Sequence, residues 1–178
     1  LDEAADLYKK LLPANPNSVD LLSNLVSLSI VRKDEPRVKE LAERLLKVQP
    51  ESAPGLEGLA AVALARGDYS AAVQYCSRLV KAVPHSYESW FNLGVAYQRT
   101  GRLEQAANAY KEAIKIRPDA VEANANLGAA LQERGYLADA RVYYQQALAA
   151  SPSLLGALGN LAIATEREGD ATEAEALQ

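Results

Sequence analysis

The sequence predicts an all-α solenoid of stacked antiparallel helix pairs, and two observations predict it. One is a period of 34: "NLGVAYQRTGRLEQAANAYKEAIKIRP" at 92–118 returns as "NLGAALQERGYLADARVYYQQALAASP" at 126–152. The other lies inside each period, where apolar residues recur at three- and four-residue steps on both sides of a glycine, the pattern of two amphipathic helices and a turn. One register spans residues 1–178. It gives a half repeat at 1–18 (second helix only), full repeats at 19–52, 53–86, 87–120 and 121–154, and a partial repeat at 155–178.

Each repeat reads as a helix A followed by a helix B. Leucine holds the seventh position (Leu25, Leu59, Leu93, Leu127, Leu161), and small residues or valine hold the eighth (Val26, Ala60, Gly94, Gly128, Ala162). Position twenty is Ala4, Val38, Ala72, Ala106, Ala140 and Ala174, so the two helices of a repeat can approach closely, with Tyr110 and Tyr144 at position twenty-four filling space around them. Gly67, Gly101, Gly135 and Gly169 mark the A-to-B turn, because glycine takes the left-handed conformation that ends a helix. Lys33 stands there in 19–52, at a cost of about 1 kcal/mol if the turn needs positive φ, while Pro36 suits the first turn of the next helix. Asp34, Asp68 and Asp170 are placed to cap helix B, and Pro16, Pro50, Pro84, Pro118 and Pro152 close each unit. One helix pair cannot bury its apolar faces alone, so the pairs stack.

Trp90, Leu93, Gly94, Tyr97, Ala106, Tyr110, Ala113 and Pro118 in 87–120 resemble the tetratricopeptide repeat at each hallmark position, and the likeness extends over the whole chain. Repeat 19–52 departs most, with Leu22, Ser29 and Lys33 at hallmark positions. The resemblance implies a right-handed superhelix with A helices on its concave side and B helices outside, and protein or peptide partners.

Composition narrows the function classes. A net charge of -4 and a pI near 5.1 argue against tracking a phosphate backbone, so nucleic acid is not an expected partner. Cys76, the single cysteine, is read as a small buried hydrophobe, and His85, the single histidine, as an exposed turn residue. No zinc-ligand spacing, HExxH or phosphate-binding loop occurs. Gly156 and Gly159 follow no strand, and Glu166 and Glu168 do not share a helical face. No catalytic residue, metal or cofactor is expected, and the segment is not read as an enzyme. No apolar run is long enough for a membrane span and no signal peptide is visible. The chain begins at Leu1 and contains no methionine, so it is read as a piece of a longer protein. The cytoplasm is favoured, with any targeting signals lying outside this stretch.

Positions 4, 7, 8 and 11 of helix A form the core stripe. The opposite stripe is nearly free of charge where a plain surface helix would be charged. Asn24, Asn92, Asn126 and Asn160 recur along it, with Gly58 the exception; each amide both donates and accepts, and so suits a peptide backbone. The same asparagines could instead bond to the adjacent repeat. Phe91 and Val95 are read as an apolar anchor site or as packing on the neighbouring repeat, and Ala125, Ala129, Ile163 and Gln98 complete the groove. Asp20, Glu88 and Glu122 line its edge, as a solvated rim or a preference for basic peptides. The cations of a chaperone-carboxylate clamp are missing. The asparagine row is more similar to the substrate-guiding superhelix of O-linked N-acetylglucosamine transferases. The expected function is a non-catalytic scaffold binding a peptide segment in the groove. The alternatives are end-to-end self-association, since Ala4, Tyr8 and Leu11 would face an absent helix A, or the substrate-presenting arm of a larger enzyme.

Overall fold

The alternation of apolar stripes and turns dictates where the helices run. The computed structural model describes residues 7, 8 and 10–176, with side chains as far as residue 169. Among the described residues, 7, 8, 10 and 11 are helical and nine helices follow: α1 (Val19–Val31), α2 (Glu35–Val48), α3 (Ala53–Ala65), α4 (Tyr69–Ala82), α5 (Tyr87–Arg99), α6 (Leu103–Ile116), α7 (Val121–Glu133), α8 (Leu137–Ala150) and α9 (Leu155–Ala176). There is no strand among the described residues. The chain divides into two units, Leu1–His85 and Ser86–Gln178, each with its own core.

The turns repeat bond for bond. Asp34, Asp68, Arg102 and Tyr136 donate their amides to the carbonyls of Ser29, Ala63, Tyr97 and Leu131, the bond that closes a helix through a left-handed residue. That residue is Gly67, Gly101 or Gly135 at φ of 73°, 73° and 85°, and Lys33 at φ 55°. Lysine therefore does occupy a conformation glycine would take at lower cost. Asp34 and Asp68 cap helix B as expected, accepting from the amides of Arg37 and Ala71. The expectation for Gly169 and Asp170 is corrected: α9 runs unbroken through both, so no second helix starts there. After Gly169 the sequence offers only Ala171, Ala174, Ala176 and Leu177 as apolar groups. A folded-back helix would bury little, whereas a glycine inside a helix costs only about 1 kcal/mol.

In the 1–85 unit, Leu22, Leu25, Val26, Leu41, Ala42, Leu45 and Leu59 form the core, joined by Leu12. Gly58 is a packing requirement there: a Cβ would fall 2.9 Å from Val26 Cγ1 and 3.1 Å from Ala42 Cβ. Arg44 and Arg78, one period apart, donate to the carbonyls of Pro16 and Pro50 and pin each helix B to the loop before its repeat. Cys76 is fully buried, as expected, and His85 is exposed.

In the 86–178 unit, α5 touches α7 and α7 touches α9, while among the described residues the B helices α6 and α8 do not meet as closely. The A helices thus lie side by side as one face. Ala106, Ala107, Tyr110, Leu127, Leu131, Ala140 and Tyr144 fill the space behind it. The two tyrosine rings fit because position eight is glycine: a Cβ on Gly94 would stand 2.5 Å from Tyr110 Cδ1, and one on Gly128 would stand 2.7 Å from Tyr144 Cε1. Gly94→Ala is expected to lower stability by about 1–2 kcal/mol, overpacking outweighing the gain in helix propensity. Urea titration checks this, and a more stable variant would show that the ring has room to move.

Candidate functional site

The side chains that reach the A face of the 86–178 unit are placed by a polar relay that starts in the core. Tyr110 is fully buried on α6, yet its hydroxyl reaches α5, where it donates to Gln98 Oε1 at 2.8 Å. That hydroxyl also hydrogen-bonds the side chain of Asn126 on α7. Since the tyrosine proton is committed to Gln98, the amide nitrogen of Asn126 donates to it. One repeat on, Tyr144 donates to Gln132 Oε1 at 2.9 Å and bonds Asn160 on α9. Burial pushes the Tyr110 hydroxyl well above the usual tyrosine range, against the opposing effects of Asn126 and Arg99, and it pushes Tyr144 up to about 12.

Around the first relay lies a cleft of about 510 Å³ lined by Val95, Gln98, Arg99, Tyr110, Asn126 and Glu133. The cleft joins three of the residues expected from sequence: Val95, Gln98 and Asn126. Asn92 on α5 and Ala125 and Ala129 on α7 are half-buried and outside its lining; Asn160 is half-buried on α9 and Ile163 is exposed there. Asn24 is exposed on α1, in the other unit. Phe91 lies in an aromatic column, 5.7 Å from the Tyr87 ring and 5.9 Å from that of Tyr110, and it packs against Ala113, Ala120 and Ala123. All of these but Ala123 belong to its own repeat, and Phe91 stays half-buried. Glu88 is bonded to Arg117 at 2.9 Å, and that guanidinium lies 4.0 Å from the Tyr87 ring centroid. This part of the acidic edge is already matched by a cation.

Tyr110, Gln132, Tyr144, Arg99 and Glu133 did not figure in the sequence reading of this face. The signal that could have found the relays is positional: glutamine and tyrosine recur twelve residues apart (98 and 110, 132 and 144), with asparagine sixteen further on (126 and 160). Among the described residues no three His, Cys, Asp or Glu side chains gather as metal ligands, and no helix is long and apolar enough to cross a membrane.

Helix pairs of fixed length, repeated in one register and presenting their first helices as a common face, define an α-helical repeat protein. Family models for the tetratricopeptide repeat match residues 39–87 and 125–157, and one for the TPR repeat matches 100–135. The chain belongs to the tetratricopeptide repeat family. No curated protein sequence matches it. Its fold is shared with the crystal structure of MamA, at 24% identity and a TM-score of 0.76 over 85% of this chain and 88% of that one. It is shared also with residues 41 to the end of MamA from Desulfovibrio magneticus RS-1, at 20% identity and a TM-score of 0.75 over 86% of each. YrrB, described as a TPR protein with an unusual peptide-binding site, aligns at 16% identity and a TM-score of 0.86 over 93% of this chain and 85% of that one. The fold class is all-α, and proteins of this kind are interaction modules.

Proposed function

We propose that this chain is a non-catalytic scaffold that binds an extended peptide segment of a partner protein along the A face of the 86–178 unit. The cleft around Tyr110 carries the reading. The relay uses one proton of Asn126 and the oxygen of Gln98, which leaves the Asn126 oxygen as an acceptor and the Gln98 amide protons as donors for a peptide's N–H and C=O. Both amides are held in place before the ligand arrives, which lowers the entropic cost of binding. Asn92 and Asn160 extend the amide row to either side, Val95, Ala125, Ala129 and Ile163 supply apolar contacts, and Phe91 braces the wall. Asn24 would serve the equivalent face of the other unit.

Titration of the best binder from a displayed peptide library tests the reading. A Gln98→Ala/Asn126→Ala double variant is expected to bind about tenfold more weakly or worse, near 1.4 kcal/mol. Equal affinity would return both amides to a structural role. A second reading is favoured by the exposed Leu155, Leu158 and Ile163 of α9 and by Leu7 and Leu11 near the other end: association of copies through these ends. Light scattering over a concentration series decides it, and a strict monomer excludes it.

A further inference from the structure

The 1–85 unit contains a cleft that shares no residue with the amide row. Its volume is about 270 Å³, and it is lined by Ile30 from the end of α1, Lys33 in the turn, Glu35 and Val38 from the start of α2, and Ala61, Val62 and Ala65 from α3. The size falls below the roughly 300–1,000 Å³ of small-molecule sites, so it suits an amino-acid side chain better than a cofactor. Its floor is apolar because Ile30 stands at position twelve, where Gln98 and Gln132 stand in other repeats, and because Ala61 and Ala65 leave α3 without bulk at this point.

The mouth has an unusual cation. Lys33 is the one non-glycine residue with positive φ among the described residues, in a turn that three other repeats build with glycine. Strain kept at the rim of a cleft points to use of the side chain that causes it. Glu35 pairs with Arg66, and Asp34 caps α2 by accepting from the Arg37 amide. Lys33 is exposed and makes no ion pair among the described residues, so its ammonium is available to an incoming anion.

We propose that this cleft binds an acidic segment of a partner protein, seating one aliphatic side chain against Ile30, Ala61 and Ala65 and pairing a flanking carboxylate with Lys33. The proposal does not depend on the groove of the other unit. Its probes are short fluorescein-labelled peptides carrying one leucine flanked by glutamates, and the same peptides with glutamines, titrated against the full chain by anisotropy. The glutamate peptide is expected to bind at least tenfold more tightly than its glutamine counterpart. Lys33→Gly should remove that preference while raising the melting temperature, so lost binding cannot be lost folding. Ala65→Leu, which fills the cleft from an exposed helical position, should block both peptides, and Lys81→Gln, an equal charge change in the last turn of α4, should leave the preference intact. Equal affinity for the two peptides, an undiminished preference in Lys33→Gly, or binding that survives Ala65→Leu would each overturn the proposal. A lower melting temperature for Lys33→Gly would overturn the argument that lysine is held there under strain.

Discussion

Leu127→Ala is expected to lower the free energy of unfolding by about 2–5 kcal/mol, a large fraction of what holds a small domain together. Leu127 is fully buried on α7, in the core that it, Ala130 and Leu131 form with Tyr110 and Tyr144. Deleting its three outer carbons leaves a hole that neighbours locked as rigid rings and alanines cannot collapse to fill. Leu93→Ala, at the same position one repeat earlier and 4% exposed, should behave alike. Leu158→Ala is the internal comparison. Leu158 is 44% exposed on α9, so its loss should cost less than about 1 kcal/mol. Denaturant midpoints decide the matter, and unchanged values for both buried leucines would mean that the 34-residue register misplaces the core.

Alkaline pH is expected to have an effect of similar size. Tyr144 is fully buried, and burial pushes its hydroxyl from the ordinary 10 up to about 12. The fold therefore keeps a proton that the unfolded chain releases. This contribution is fully present below about pH 10 and is lost as pH rises through 12, by roughly 2–3 kcal/mol in all. Tyr110 is shifted in the same direction, and burial pushes the Cys76 thiol up to about 12 as well, so the decline starts near pH 9 and steepens. Unfolding free energies from urea titrations between pH 8 and 12 should trace that fall. Tyr144→Phe, although less stable at neutral pH, should show a shallower one. An identical slope in the variant would mean that the hydroxyl is not shielded from water.

The architecture was legible in the sequence because a repeat states its own rules several times over. Leucine at position seven, proline at thirty-two and glycine at the turn each recur often enough that one exception, Lys33, could be read as a lysine in a glycine's conformation. The same logic misled at Gly169, where the local residues match earlier turns but little apolar surface follows to be buried. The face of the A helices was legible only in part. Which stripe is turned away from the core follows from helical spacing, and Val95, Gln98 and Asn126 do line one cleft. Which partner an asparagine takes does not follow, because that depends on a tyrosine from the preceding repeat reaching across at a particular depth. Phe91 shows the same limit: helical spacing puts a half-buried aromatic at position five on this face but does not tell that it stacks with Tyr87 and Tyr110 of its own repeat.

The glycine and tyrosine fit at positions eight and twenty-four also makes the order of repeats matter. Where position twenty-four is tyrosine, as in Tyr110 and Tyr144, the following repeat offers an asparagine; where it is Ala42, the following repeat offers Gly58, which lets the chains close up against Val26. The two tyrosine repeats thus carry half of a message completed by their successors, whereas 53–86 has Cys76 at position twenty-four ahead of Asn92. A duplicate of 87–120 set behind itself would read correctly, Tyr110 meeting a second copy of Asn92. A copy of 53–86 in that place would set Gly58 before the tyrosine hydroxyl with nothing to donate to it. Lengthening this array by copying is therefore directional, and its segments are words in a sentence more than interchangeable bricks.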